Sequence, residues 1–222
     1  MMPAAQPLIA ELEAALARAS PSWRSMTLRR LTDLFMVDAG SFSDDQIAVF
    51  DDVISRLLDN TDRRALADLS KRLAELERAP ANVVATLARH SDISVAGPVL
   101  ERSNILSDAI LIEAVDKERR DPALLSAIVT RPQLSEAVTE VLIRRGTPAI
   151  ARKVLDHAGA RISEASFARL VTSLDNDKEL AAVIAKHPDL PAELRPWIDM
   201  TLASQPIRLS PAADRSSARR CS

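Results

Sequence analysis

Residues 130–148 read TRPQLSEAVTEVLIRRGTP, and this stretch decides the fold. Ser135 follows an apolar Leu134 and has the short hydroxyl side chain that suits a helix N-cap. Val138, Val141 and Leu142 then recur at helical spacing. Arg145-Gly146-Thr147-Pro148 compresses a basic helix end, a terminating glycine, a new cap and a first-turn proline into four residues. A short helix therefore ends, and another starts, across a single tight corner.

The same punctuation recurs. Ser107, Ser135, Ser163 and Pro191 stand 28 residues apart, each directly after Leu106, Leu134, Ile162 or Leu190. Helix starts are expected near Ala81, Ser94, Ser107, Asp121, Ser135, Thr147, Ser163, Asp177 and Pro191, so one period holds two short helices. A fixed period of this size signals stacked helical units, because one unit cannot cover its own apolar face. Leu190, Leu194, Trp197 and Ile198 repeat the apolar pattern of the Ser135 helix, whereas Ser166 and Arg169 interrupt it in the intervening period. Pro196 is expected to kink the last helix or shift its start.

Upstream, helices are expected over Leu8–Ala19 and Trp23–Val37, the second with Leu28, Leu31, Leu34 and Phe35 on one stripe. A third runs from a Ser43/Gln46 capping box to about Asp59, and a fourth spans Asp62–Arg78, closed by Pro80. The amphipathic Leu8–Ala19 segment must bury its apolar side, on neighbouring helices or in a dimer; packing on its neighbours is the expectation. The organisation read from this pattern is an N-terminal helical cap over 1–80, a repeat region over 81–203 continuous with it, and a disordered Ser-, Pro- and Arg-rich tail over 204–222. The expected architecture is all-α, a right-handed solenoid of short antiparallel helical hairpins.

Composition agrees with helix. Aromatics are 3%, tyrosine is absent and glycine occurs four times, while Ala, Leu and Arg are abundant. The net charge of −2 supplies no global field toward nucleic acid or acidic lipid. No run of 18 uncharged apolar residues exists, so no membrane partner is expected. The single Cys221 cannot form an internal disulfide, and the expected compartment is the cytoplasm.

The segments LFMVDAGSFSDDQIAVFDDVI, LARHSDISVAGPVLERSNILSD, RPQLSEAVTEVLIRRG and HPDLP resemble a bacterial family, domain of unknown function 2336. The similarity spans about Leu28 to Leu202, and VAGPVLERS (residues 95–103) is its most specific string. The resemblance implies an α-helical repeat fold, akin in architecture to HEAT and armadillo arrays, and brings no assigned catalytic activity with it. It supplies no site residues.

Catalytic constellations are missing from the sequence. His90, His157 and His187 fall near helix ends without the spacing of a zinc site, and the dipole explains them. Asp38, Asp44, Asp45, Asp51 and Asp52 do not match a calcium loop and read as first-turn acids and a solvated face. Ser94 and Ser103 flank a glycine without a nucleophile elbow, and Ser94 reads as another cap. No Gly-rich phosphate loop is present, and neither an enzyme nor a cofactor is expected.

Arginine is the residue type worth weighing. Arg89, Arg102, Arg131, Arg144, Arg145 and Arg161 sit around expected helix ends, where a solenoid would align them as a candidate binding surface. Acids balance the bases between Ala81 and Ala165, and no aromatic residue interleaves to stack bases. The sequence thus points to a non-catalytic scaffold that docks an unidentified protein or peptide. The alternative is phosphate-backbone binding of nucleic acid by an arginine-lined surface.

Overall fold

The computed structural model describes residues 20–116, 121–174 and 177–203. The expected Leu8–Ala19 helix and the tail from Ser204, with Cys221, lie outside the described residues.

The chain is all-helical where described. Twelve α-helices follow one another: α1 Pro21–Asp38, α2 Asp44–Leu58, α3 Arg63–Leu73, α4 Ala81–Ala88, α5 Ile93–Arg102, α6 Asp108–Asp116, α7 Pro122–Val129, α8 Glu136–Arg145, α9 Pro148–Leu155, α10 Glu164–Thr172, α11 Lys178–Lys186 and α12 Arg195–Ala203. A 3₁₀ turn over Ala192–Leu194 precedes α12, so Pro196 falls at the start of that helix and shifts it without kinking its interior. None of these helices is long and apolar enough to cross a membrane.

Local chemistry sets the starts. Ser20, Asp62, Ser135, Ser163 and Asp177 each accept a backbone N–H from the first turn of the following helix. Ser43 and Gln46 form the complete capping box. Proline opens α1, α7 and α9, where its missing N–H leaves nothing unsatisfied. Two boundaries differ from expectation. The α5 cap is Asp92, which accepts from the Ser94 N–H at 2.8 Å; Ser94 is already inside the helix. α3 ends at Leu73, because residues 74–80 turn away to set Leu76 against the core and Arg78 on the Phe42 carbonyl.

Each helix packs on the second one after it: α1 on α3, α2 on α4, and so on to α9 on α11. Two rows result, one of odd-numbered and one of even-numbered helices. The 28-residue period is visible in the packing. Leu106, Leu134 and Leu190 are buried, Ile162 is half-buried against the same core, and Ala114, Leu142, Leu170 and Ile198 are buried at their own common interval. Ser166 occupies a buried position, with its hydroxyl 3.1 Å from that of Ser163, while Arg169 turns to solvent. One apolar cluster runs from Leu28 to Ile198 without a break at Pro80. Phe35, Phe42 and Phe50 pack mutually at its N-terminal end, with ring centroids 5.1–5.6 Å apart.

Polar contacts step along the rows by roughly one period. Arg63 reaches Asp92 at 2.8 Å, Arg102 reaches Glu75 at 2.8 Å, and Lys153 donates to the Ser126 hydroxyl at 2.8 Å. The Leu134 N–H donates to the Gly159 carbonyl at 3.0 Å, and the Arg161 N–H returns to the Leu134 carbonyl at 3.0 Å. Gly159 is required there: a Cβ would lie 2.1 Å from the Pro132 carbonyl oxygen.

Candidate interaction surfaces

The six arginines singled out by sequence do not make one ladder. Arg131 is buried, 8% exposed, and its two terminal nitrogens donate to the carbonyls of Leu100 (2.8 Å) and Ser103 (2.9 Å) at the end of α5. Burial lowers its pKa from the usual guanidinium value, opposed by Asp108. Arg131 is thus a clamp on the preceding repeat and is withdrawn from any binding surface. Arg89 pairs with Glu113 at 2.7 Å, and Arg102 pairs with Glu75. Arg144 and Arg145 are exposed at the end of α8, in the even row, and Arg161 is exposed in the linker before α10.

Charge is instead segregated by row. On α1, α3, α5, α7, α9 and α11, basic residues outnumber acidic ones by more than two to one, with Arg29, Arg30, Arg64 and Lys71 exposed on the adjacent α1 and α3. On α2, α4, α6, α8 and α10 the ratio reverses, with Asp45, Asp52, Asp108 and Glu136 exposed. This asymmetry is invisible in the near-neutral total.

The acidic set also divides. Asp44 pairs with Arg78 at 2.5 Å, and Asp52 with Arg56 one helical turn on. Asp51 does not belong to a solvated face. It is buried, and its carboxylate accepts the Val83 N–H at 2.9 Å, the Asn82 N–H at 3.1 Å and the Asn82 side-chain amide at 2.7 Å. It caps α4 from a different helix, because Pro80, at the α4 N-cap, offers no side-chain acceptor.

Three capping aspartates have lowered pKa values. Asp92 is pushed down to about 2, first by the Ser94 hydroxyl, then by the Ser94 N–H and by Arg63. Asp62 is lowered chiefly by the Ser25 hydroxyl, and Asp177 chiefly by the Leu180 N–H. Each hydrogen bond favours the charged form.

The histidines share one geometry. His90, His157 and His187 each accept, on Nδ1, the backbone N–H two residues on, at 3.0, 3.1 and 3.2 Å. Neutral rings so used carry their proton on Nε2. His157 and His187 also border a cleft of about 240 Å³ with Asp156, Lys186 and Asp189. Among the described residues, no three His, Cys, Asp or Glu side chains converge as a metal site would need.

A concave apolar surface lies beside the last described helices. α10 and α12 face each other across a groove of about 460 Å³, lined by Val171, Leu174, Leu194, Trp197 and Met200. Trp197 is 59% and Met200 60% exposed. The periodicity put Trp197 on the packed face; it is open because no further described repeat covers it. The signal was present in the sequence as an apolar pattern continuing past the final cap.

Fold and surfaces define a protein that is all-helical over its described residues and held together by contacts between neighbouring helices. Residues 95–219 match the family described as an uncharacterised protein conserved in bacteria (DUF2336), and the chain belongs to that family. The match begins at the VAGPVLERS string and does not include Leu28–Ser94. No curated protein and no solved structure matches the chain.

Proposed function

We propose that this protein is a non-catalytic, cytoplasmic scaffold that docks a protein or peptide partner. Its two rows form a right-handed HEAT- or armadillo-like solenoid, with residues 1–80 as its N-terminal cap and 81–203 as its repeat region. The α10–α12 groove carries the reading. Two helices present apolar ridges at i, i+3, i+4 spacing, Ala168/Val171/Thr172 and Trp197/Met200/Thr201, and an amphipathic helix fits between such ridges. Exposed apolar surface in a concave setting is what hydrophobic partner anchors fill.

Quantitative affinity purification with wild type and with Trp197→Ser/Met200→Ser tests it. The expected result is a set of proteins recovered with wild type and lost with the variant, while circular dichroism and melting are unchanged. Identical recoveries would overturn the groove as the docking site.

Phosphate-backbone binding is the second reading. Its support is the exposed quartet Arg29, Arg30, Arg64 and Lys71 on neighbouring odd-row helices. Retention on DNA that falls steeply with salt and is lost in Arg64→Ala/Lys71→Ala would favour it; no retention at low salt ends it.

A further inference from the structure

The first described helices carry an independent feature. Trp23, Met26, Leu34 and Val37 of α1 are 43%, 46%, 58% and 76% exposed. With Arg30 they follow one another at intervals of three, four, four and three residues. They form one helical stripe, about 21 Å long at the α-helical rise. The stripe lies opposite the buried Leu28, Thr32 and Phe35. Leu34 was expected to pack inward with Leu28 and Phe35, and it is exposed instead.

Cations flank the stripe. Arg29 and Arg30 are exposed on α1, and Arg64 and Lys71 are exposed two turns apart on α3, which packs against α1. Asp33, midway along α1, is engaged by Arg72 of α3 at 2.7 Å. Over these two helices seven cations meet three acids, so the near-neutral total conceals a local positive field.

We propose that α1 and α3 rest on an anionic lipid surface, with the α1 stripe in the headgroup layer and the neighbouring cations on lipid phosphates. No described helix is long and apolar enough to cross a bilayer. Resting on one makes a different demand: an apolar face with a basic border on a helix lying flat. Trp23 suits that layer, because an indole places its ring in apolar surroundings and its N–H in wet ones. An apolar contact and a basic patch bind lipid weakly when alone and firmly together, and adjacent helices supply both here.

Charge selects this occupant over two others. A nucleic acid would use the cations and leave Met26, Leu34 and Val37 without a role. A second copy laid antiparallel on the stripe would set Arg30 against Arg30, and like charges so placed oppose association. Four apolar side chains also fall short of the roughly 20–30 residues a side that a stable protein interface employs.

Trp23 and Trp197 are the two tryptophans, and tyrosine is absent, so Trp197→Phe leaves Trp23 as the sole reporter. In that background the full chain is titrated with vesicles of phosphatidylcholine alone and of phosphatidylcholine mixed with phosphatidylglycerol. The expected result is a blue shift and reduced acrylamide quenching of Trp23 with the anionic vesicles, weakening as salt is raised, and no change with the neutral ones. Arg30→Gln/Lys71→Gln should weaken partition at least tenfold, at about fivefold for each cation near the surface. Leu34→Ser/Val37→Ser should weaken it to a similar degree while circular dichroism stays that of wild type. If this apolar variant unfolds, the Arg30/Lys71 variant decides the matter, since both its positions are exposed. A Trp23 emission indifferent to anionic vesicles overturns the proposal, as does equal partition into neutral ones. Binding to a DNA duplex without binding to vesicles also overturns it and assigns the cations to phosphodiester. A concentration-dependent dimer in sedimentation that shifts Trp23 in the absence of lipid, with no further shift on adding anionic vesicles, overturns it in favour of a second copy. None of these outcomes bears on the α10–α12 groove.

Discussion

The Asp51 carboxylate on α2 accepts the Val83 amide of α4 at 2.9 Å, so one helix supplies the N-cap of another 32 residues away. Asn82 completes the arrangement through its backbone and side-chain N–H groups. The contact links consecutive members of the even row at the junction between the first helices and the regular repeats. It ties the starting position of α4 to the folded state of α2.

Removing this acceptor leaves the buried Val83 amide unpaired. Asp51→Ala should destabilise the protein by about 1–2 kcal/mol, the usual size of a lost N-cap, or somewhat more because the site is buried. Asp51→Asn keeps one oxygen acceptor and should recover part of the loss. Urea unfolding with an unchanged m value checks both.

Arg131 offers a sharper test of structure against binding. Arg131→Ala strands the Leu100 and Ser103 carbonyls and should cost roughly 2–3 kcal/mol. Arg131→Lys should restore little, since one ammonium cannot reproduce the planar fork. Thermal melts of the two variants should therefore resemble each other more than either resembles wild type.

Acid should loosen the odd row. The folded pKa of Asp92 lies at about 2, below its ordinary value of 3.8. Its contribution is therefore complete above that ordinary value and disappears as the pH falls through about 2. Asp62 and Asp177 are shifted in the same direction. The stability gap between wild type and Asp92→Asn should shrink as pH falls across that window, followed by circular dichroism in urea.

Two glycines should respond oppositely to alanine. At Gly159 the new Cβ meets the Pro132 backbone, which cannot move cheaply, so Gly159→Ala should destabilise by about 1–3 kcal/mol. At Gly97, inside α5, the Cβ meets only the flexible Ile93 side chain at 3.2 Å. Gly97→Ala should be neutral or stabilising by up to about 1 kcal/mol, through helix propensity. Paired denaturation curves decide the signs.

Helix positions were legible because their causes are local. Ser43, Ser135, Ser163 and Asp177 cap helices from within three residues of the amides they satisfy, and Leu134, Leu142 and Leu170 mark the core by their interval. The chain on its own therefore determined an all-helical build, its period and most of its helix starts. Only the tertiary structure decided that Asp51 caps α4, that Arg131 is buried, and that cations and acids part onto different rows. Those outcomes depend on groups about one repeat away, which no short window contains. Among the described residues the tertiary structure also leaves Trp197 and Leu34 exposed: periodicity marks a residue as apolar-facing, but burial needs a neighbour, and the outermost described helices have a described row neighbour on one side alone.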